Sequence, residues 1–528
     1  MSSQYPPISD YALLSDCHSG ALVSKDGSID WCAFHRFEAR PVFARLLDWD
    51  KGGYFQIAPA VDYEASRRYV PGTNVLETRF ETAAGVVTVC DALVVRVEEG
   101  HPDHRLVRRV LCESGSVEVR LRFEPRFDYA LTEPRVELID DDLAIAYGGP
   151  DALVLQSELA IGASGMSACD AVHTLTEGDD LLVALTWCLP QELKPEPKRL
   201  PRERILGELD GTIGYWQAWS DRCTYEGPYR DNVLRSGLVL KGLTNGPTGA
   251  IVAAATTSLP EDLGGERNWD YRYSWLRDSA LTVNALFMLG YTDEAHAYMT
   301  WLRRTTAGSA KALQIMYGAG GERFLPEIEL EHLDGYRGSR PVRAGNGAAA
   351  QFQLDVYGEM LDAAWHYRRH GGEIDDVFWE FLSRVGEAVL EQWEQPDSGI
   401  WEIRGEPRHF VSSKVMPRPN GQRNHGFGSM PVTSRIVSSA RSTSRRNHSS
   451  ESPFIGAWKF EWFPIRWPAA AMRCASSGYA RVQRPWRKNE PRTFSEPSVS
   501  RIRSSPPGRA GRPGNSVSNE SATFTAPV

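Results

Sequence analysis

The sequence predicts a multidomain β + α protein: an N-terminal β-sandwich, then an incomplete helical toroid, then a disordered basic tail. Three observations predict it. Residues 1 to about 200 are short runs of alternating polarity separated by turn signals. From 229 to 416 apolar side chains recur at helical spacing over long segments. After Met416 that periodicity fades, and Ser, Pro and Arg take over. The expected parts are therefore a β-sandwich domain at 1–200, a connecting helix at 201–228, a helical domain at 229–416 and a tail at 417–528.

In the first part, Ala21-Leu22-Val23 and Ser28-Ile29-Asp30-Trp31 flank the turn Lys25-Asp26-Gly27, a hairpin signal. Val75 to Phe80 and Val86 to Val89 flank Ala83-Ala84-Gly85, a second hairpin. Val117 to Phe123 alternates with period two, and Leu143 to Tyr147, Leu153 to Leu159 and Leu181 to Leu185 extend the pattern. Many short strands with regular turns indicate a sandwich. Pro190 to Pro201 reads as a linker, and Arg202 to Arg222 as a charged helix. Helices are then expected at Asn232–Leu243, Ser274–Leu289, Glu294–Thr305, Ala348–His370 and Val377–Glu394, with a further one near Arg408–Met416. His370-Gly371-Gly372 stops one helix before the next begins. Paired helices joined by residue-rich loops indicate a toroid.

Charge divides the chain unevenly. Residues 417–528 hold 16 Arg and 2 Lys against 5 Glu and no Asp, while the preceding residues hold 41 basic and 63 acidic side chains. An acidic body argues against nucleic acid as the main partner. No apolar run approaches the roughly 18 residues of a membrane span. Met1 to Gly20 lacks the basic-then-apolar pattern of a secretory signal. The eight Cys show no CxxC spacing and read as reduced thiols, so a cytoplasmic location is expected. No HExxH or GxSxG motif occurs, which removes the corresponding zinc and serine chemistries from consideration. The tail has 19 Ser and 13 Pro in 112 residues. It reads either as a basic disordered extension or, given its abrupt onset, as the product of a shifted reading frame; the abruptness favours the second.

Three segments carry chemistry. Asn268-Trp269-Asp270-Tyr271-Arg272-Tyr273-Ser274-Trp275-Leu276-Arg277-Asp278 mixes charges with four aromatics ahead of an apolar helix. Adjacent Arg277 and Asp278 suit vicinal hydroxyls, the guanidinium donating and the carboxylate accepting. A surface ion-pair network would use the same composition. Gly399-Ile400-Trp401-Glu402 places a Glu beside an indole, where desolvation would keep it protonated as a general acid requires, although most such pairs are ordinary surface residues. Arg337 to Gly347 is a Gly-rich loop with three arginines, among them Arg343. It could bind anionic or polar sugar groups or simply cap the next helix, and its spacing is not a phosphate-binding P-loop.

Together these segments resemble bacterial proteins of glycoside hydrolase family 15, the glucoamylase/trehalase-like group. Ile8 to Cys17 with Ser24 to Trp31 is similar to that group's N-terminal domain. Asn268-Trp269-Asp270-Tyr271-Arg272 with Trp275-Leu276-Arg277-Asp278 is similar to its substrate-binding signature, and Gly399-Ile400-Trp401-Glu402 to its general-acid loop. The likeness covers residues 5 to 416. It implies a β-sandwich followed by an (α/α)6 barrel and inverting hydrolysis of α-glucosidic bonds, in trehalose or maltooligosaccharides. It implies Glu402 as general acid, Arg277 and Asp278 gripping the nonreducing glucose and Trp401 shaping that pocket, with Trp269, Asp270 and Arg343 as further substrate contacts. The chemistry requires no cofactor; phosphate and Mg²⁺ enter by family analogy only.

One departure stands out. Inversion needs a second carboxylate about 6.5–9.5 Å from the first to activate water. The resemblance places that base much further along the chain, before an apolar-aromatic helix. The tail offers Glu451, Glu461, Glu490, Glu496 and Glu520, none in that setting; Glu451-Ser452-Pro453-Phe454 is a chance likeness. The expectation is an impaired catalyst with an unclosed barrel. The alternative is a non-catalytic carbohydrate-binding or regulatory protein.

Overall fold

The computed structural model describes residues 5–95, 104–193, 197, 199–306 and 310–417. The expected tail, apart from Pro417, lies outside the described residues.

The N-terminal part is an antiparallel sandwich. One sheet holds β1 (Tyr11–Ser15), β2 (Gly20–Ser24), β3 (Ser28–Ala33) and β4 (Tyr54–Pro59). The other holds β5 (Tyr63–Tyr69), β6 (Leu76–Thr82) and β7 (Gly85–Leu93). β8 (Arg105–Glu124) belongs to both. The second sheet continues through β9 (Arg135–Asp140), β10 (Leu143–Gly148) and β11 (Asp151–Ser157), and the first through β12 (Gly162–Ala163) and β13 (Cys169–Thr176). β14 (Asp180–Cys188) completes the second, pairing with β8 and β11. The first half of β8 pairs with β7 and β14, and its second half with β4 and β13. The changeover falls at Gly115, whose φ of +74° a side chain would strain. Alternating side chains then meet between the sheets: Leu14, Val23, Phe55, Ile57 and Leu121 on one face, Phe80, Val89, Val110, Leu153 and Leu185 on the other.

A buried ion pair crosses this core. Arg108 Nε donates to Asp91 Oδ1 at 2.7 Å with both side chains fully buried. Arg108 also donates to the carbonyls of Phe55 and Gly27 at 2.8 and 2.7 Å, so its charge is met from both sheets.

The predicted connecting helix is α1 (Arg202–Ser220). It joins the helical core: Trp219 stacks on Tyr291 at 3.7 Å, and its indole donates to Glu294. Its middle holds the sandwich, where Val95 N donates to Thr212 Oγ1. The helical part follows with α2 (Arg230–Gly242), α3 (Leu276–Leu289), α4 (Thr292–Thr306), α5 (Asp355–Arg369), α6 (Asp376–Gln392) and the five-residue α7 (Val411–Val415). α3 packs on α4 and α5, and α5 on α6. Gly290 ends α3 with φ +92°, the left-handed stop that favours glycine. Asp375 caps α6, its carboxylate accepting from Phe378 N.

One expected helix starts late. Asn346 caps Ala348 N, but the turn it starts is only a 3₁₀ segment, Gly347–Ala350. Gln351 is extended, and α5 begins at Asp355 rather than Ala348.

The two parts meet directly. Ser15 Oγ donates to Gly242 O, Gly246 N to Cys17 O, and the Trp31 indole to Ala255 O. Among the described residues no helix is long and apolar enough to cross a membrane, and every cysteine is free.

Candidate active site

The site is assembled from two loops that are far apart in sequence. The first is a short strand, β15 (Ser274–Trp275), paired with β16 (Met316–Tyr317), and it runs straight into α3. Arg277 and Asp278 thus occupy the first turn of α3. Asp278 gains there from the positive helix end. The second is the turn 398–403, in which Gly399 has φ +65° and Glu402 itself has φ +52°. A non-glycine residue in this region is strained, and such strain clusters at functional sites.

The turn aims the Glu402 side chain at α3. Trp275 Nε1 donates to Glu402 Oε1 at 2.6 Å, and Arg277 Nη2 lies 3.5 Å from the same oxygen. Arg277 Nη2 also donates to Asp278 Oδ2 at 3.1 Å. Burial pushes the Glu402 carboxyl above its usual range, against the opposing pull of Arg277 and the Trp275 hydrogen bond. The Glu402 side chain is 18% exposed and that of Asp278 46%, so Asp278 presents its carboxylate to solvent while Glu402 is recessed. The arrangement combines a desolvated carboxyl with an equally recessed guanidinium and a solvent-facing Asp278 carboxylate, groups that can donate to and accept from hydroxyls.

The indole beside the carboxyl is Trp275, not Trp401 as sequence adjacency suggests. Trp401 is 71% exposed, because the left-handed turn at Glu402 sends the two side chains apart. Trp269 lies between two guanidinium groups, Arg343 at 4.4 Å and Arg404 at 4.3 Å from its ring centre. Arg343 is buried and donates to the carbonyls of Glu266 and Asn268 and to Glu329. Asp270 is fully buried: it pairs with Arg272 at 2.7 Å and accepts from Gly345 N at 3.0 Å. Both tie the loop at 343–347 to the 268–272 segment.

Two further side chains support the turn. Gln351 Nε2 donates to Ile403 O at 3.0 Å, which explains why the chain stays extended there instead of joining α5. Asp397 is buried, and its Oδ2 accepts from Leu354 N at 3.0 Å, fixing the turn to the start of α5. On α5 itself, Asp355 and Glu359 occupy successive turns and feel the Arg277 charge. Burial, reinforced by Asp362 and Asp355, pushes Glu359 up to about 7. Among the described residues no group of three His, Cys, Asp or Glu converges as a metal-ion site.

A β-sheet domain followed by a helical domain, with a recessed carboxyl beside an Arg–Asp pair, is an arrangement compatible with the class of glycoside hydrolases. Comparison with known proteins makes this specific. Residues 227–418 match the family described as "Glycosyl hydrolases family 15", and residues 1–191 match "Trehalase-like, N-terminal". The chain is 41% identical over 443 residues to a trehalase of Mycolicibacterium smegmatis, covering 79% of this chain and 65% of that one. It is 40% identical to a trehalase of Mycobacterium tuberculosis, covering 79% and 64%. With Trehalase 1 of Sulfolobus acidocaldarius it shares 34% identity, covering 75% and 67%. The chain therefore belongs to glycoside hydrolase family 15. It spans just under two thirds of the length of the mycobacterial trehalases it matches. Among solved structures, a putative kojibiose phosphorylase from human microbiome aligns with a TM-score of 0.39 and 9% identity, covering 72% of this chain and 56% of that one.

Proposed function

We propose that this chain carries the substrate-gripping and acid half of an α-glucoside hydrolase site, with trehalose as the first substrate to test and maltooligosaccharides as the second. One observation supports it above the others: Trp275 and Arg277 converge on one oxygen of a Glu402 carboxyl whose burial raises its pKa. A carboxyl of that kind is suited to protonating a leaving glycosidic oxygen. Arg277 and Asp278 hold the terminal glucose, and exposed Trp401 offers it a ring face. Trp269 and Arg343 support the rim.

Hydrolysis by this chain is impaired in the same reading. An inverting reaction needs a water-activating carboxylate opposite the acid. The Glu residues that follow position 416 are those named above, and they lie outside the described residues. The proposed reaction is metal-free, and phosphate or Mg²⁺ dependence rests on analogy alone. The free cysteines among the described residues favour a cytoplasmic setting.

The test is to titrate the purified full chain calorimetrically with trehalose and maltose and to measure glucose release in parallel. Sugar binding with little or no turnover is expected. Turnover in the ordinary enzymatic range of about 1–10³ s⁻¹ would refute the impairment. No binding and no turnover would refute the whole reading.

A further inference from the structure

The contact between Trp275 and Glu402 contains more than a packing arrangement. An indole nitrogen is a donor only; it cannot accept a proton or a hydrogen bond. Its 2.6 Å partner is Oε1, and Oε1 also faces Arg277. Among the described residues both donors to this carboxyl therefore fall on the same oxygen. A proton placed on Oε1 would point a donor at one of two donors. Placed on Oε2, it leaves Oε1 as the acceptor that both need.

We propose that Trp275 is a positioning residue that fixes the exchangeable proton of Glu402 on Oε2. The inference rests on the reading of Glu402 as an acid only for its consequence, which is that the proton is presented on the oxygen not held by protein. The placement itself follows from donor chemistry. Trp275 is suited to the task because it is 2% exposed and lies in β15, paired with Met316 of β16. The same bond also helps hold Glu402 in its left-handed backbone conformation.

The other charged groups around the carboxyl do not replace this function. Asp278 opposes ionisation of Glu402, and Arg277 favours it. Arg267 and Tyr271 feel the carboxylate from the segment before β15, and Asp355 and Glu359 act on Arg277 from α5. Of these, Arg277 and Asp278 bear on how readily Glu402 titrates. Among the described residues only the indole is within normal hydrogen-bond length of a Glu402 carboxyl oxygen.

The experiment uses the full chain labelled with ¹⁵N in the Trp indoles and ¹³C at the Glu carboxyls. Trp275→Phe identifies the Trp275 N–H resonance by its loss, and Glu402→Gln identifies the Glu402 carboxyl. Across the Glu402 titration the Trp275 N–H should stay downfield at both ends, since Oε1 accepts in both protonation states. In W275F the protonation constant of Glu402 should rise roughly tenfold, because a donor to the charged form is gone. An indole signal that moves to the position of a free N–H below the Glu402 midpoint would overturn the proposal, and so would an unchanged protonation constant in folded W275F. If W275F fails to fold, benzothienylalanine at position 275 keeps the bicyclic ring and removes only the N–H, and the same two results decide. None of these readouts requires hydrolysis, so their failure is separable from failure of the functional reading.

Discussion

Trp275 and Glu402, 127 positions apart in the chain, are joined by a 2.6 Å hydrogen bond from the indole Nε1 to Oε1. The bond links the strand that opens α3 to a turn in which glutamate takes a backbone conformation normally left to glycine. The site is therefore a tertiary product: neither loop alone creates the desolvated carboxyl.

The strain at Glu402 has a measurable consequence. Glycine tolerates φ +52° without cost, whereas alanine does not. Glu402→Gly should unfold in urea with a free energy about 1 kcal/mol higher than Glu402→Ala. Equal stabilities would show that the turn relaxes once the side chain is removed.

Arg277 should govern sugar binding. It touches both Asp278 and Glu402, and a guanidinium fork is not reproduced by an ammonium. Arg277→Lys should weaken trehalose binding at least about tenfold, equivalent to roughly 1.4 kcal/mol, by calorimetry. Unaltered affinity would place the sugar elsewhere.

Glu359 makes the fold pH-dependent. Its folded pKa, about 7, lies above the ordinary glutamate value of 4.5, so the folded state holds a proton that the unfolded chain releases between those values. Stability should fall as pH rises from about 4.5 to 7. Glu359→Gln removes that loss. The variant should exceed the parent by on the order of 2 kcal/mol at pH 8 and converge with it near pH 4, measured by urea unfolding. A difference that is the same at both pH values would contradict the assignment.

In the sandwich, Asp91→Ala leaves Arg108 fully buried without its carboxylate. The expected cost is about 3–5 kcal/mol in chemical unfolding. A loss below about 1 kcal/mol would mean that the carbonyls of Gly27 and Phe55 satisfy the guanidinium unaided.

What the sequence revealed followed from short-range chemistry. Turn signals located β2, β3, β6 and β7, period-two runs located β10, β11 and β14, and helical spacing located α1 to α6, because each pattern is written in consecutive residues. The 20-residue span of β8 was only partly legible, as its two halves serve different sheets and alternate against different partners. The start of α5 was misplaced because Gln351 is drawn into an extended conformation by carbonyls fifty positions away. At the site, Arg277, Asp278 and Glu402 stood out through contiguous motifs. The choice of indole did not: neighbours in sequence suggested Trp401, whereas the positive φ of Glu402 turns its carboxyl to Trp275. The pairing of Asp270 with Arg272, and of Arg343 with the carbonyls of Glu266 and Asn268, was not legible in the motif, because it joins segments that meet only in the fold.

The most direct test of the central claim is a crystal structure of the full chain with trehalose bound. The account predicts the terminal glucose between Arg277 and Asp278 and the glycosidic oxygen about 2.6–3.2 Å from Oε2 of Glu402. A sugar seated away from this carboxyl, or one whose glycosidic oxygen faces the Trp275-bound Oε1, would contradict it.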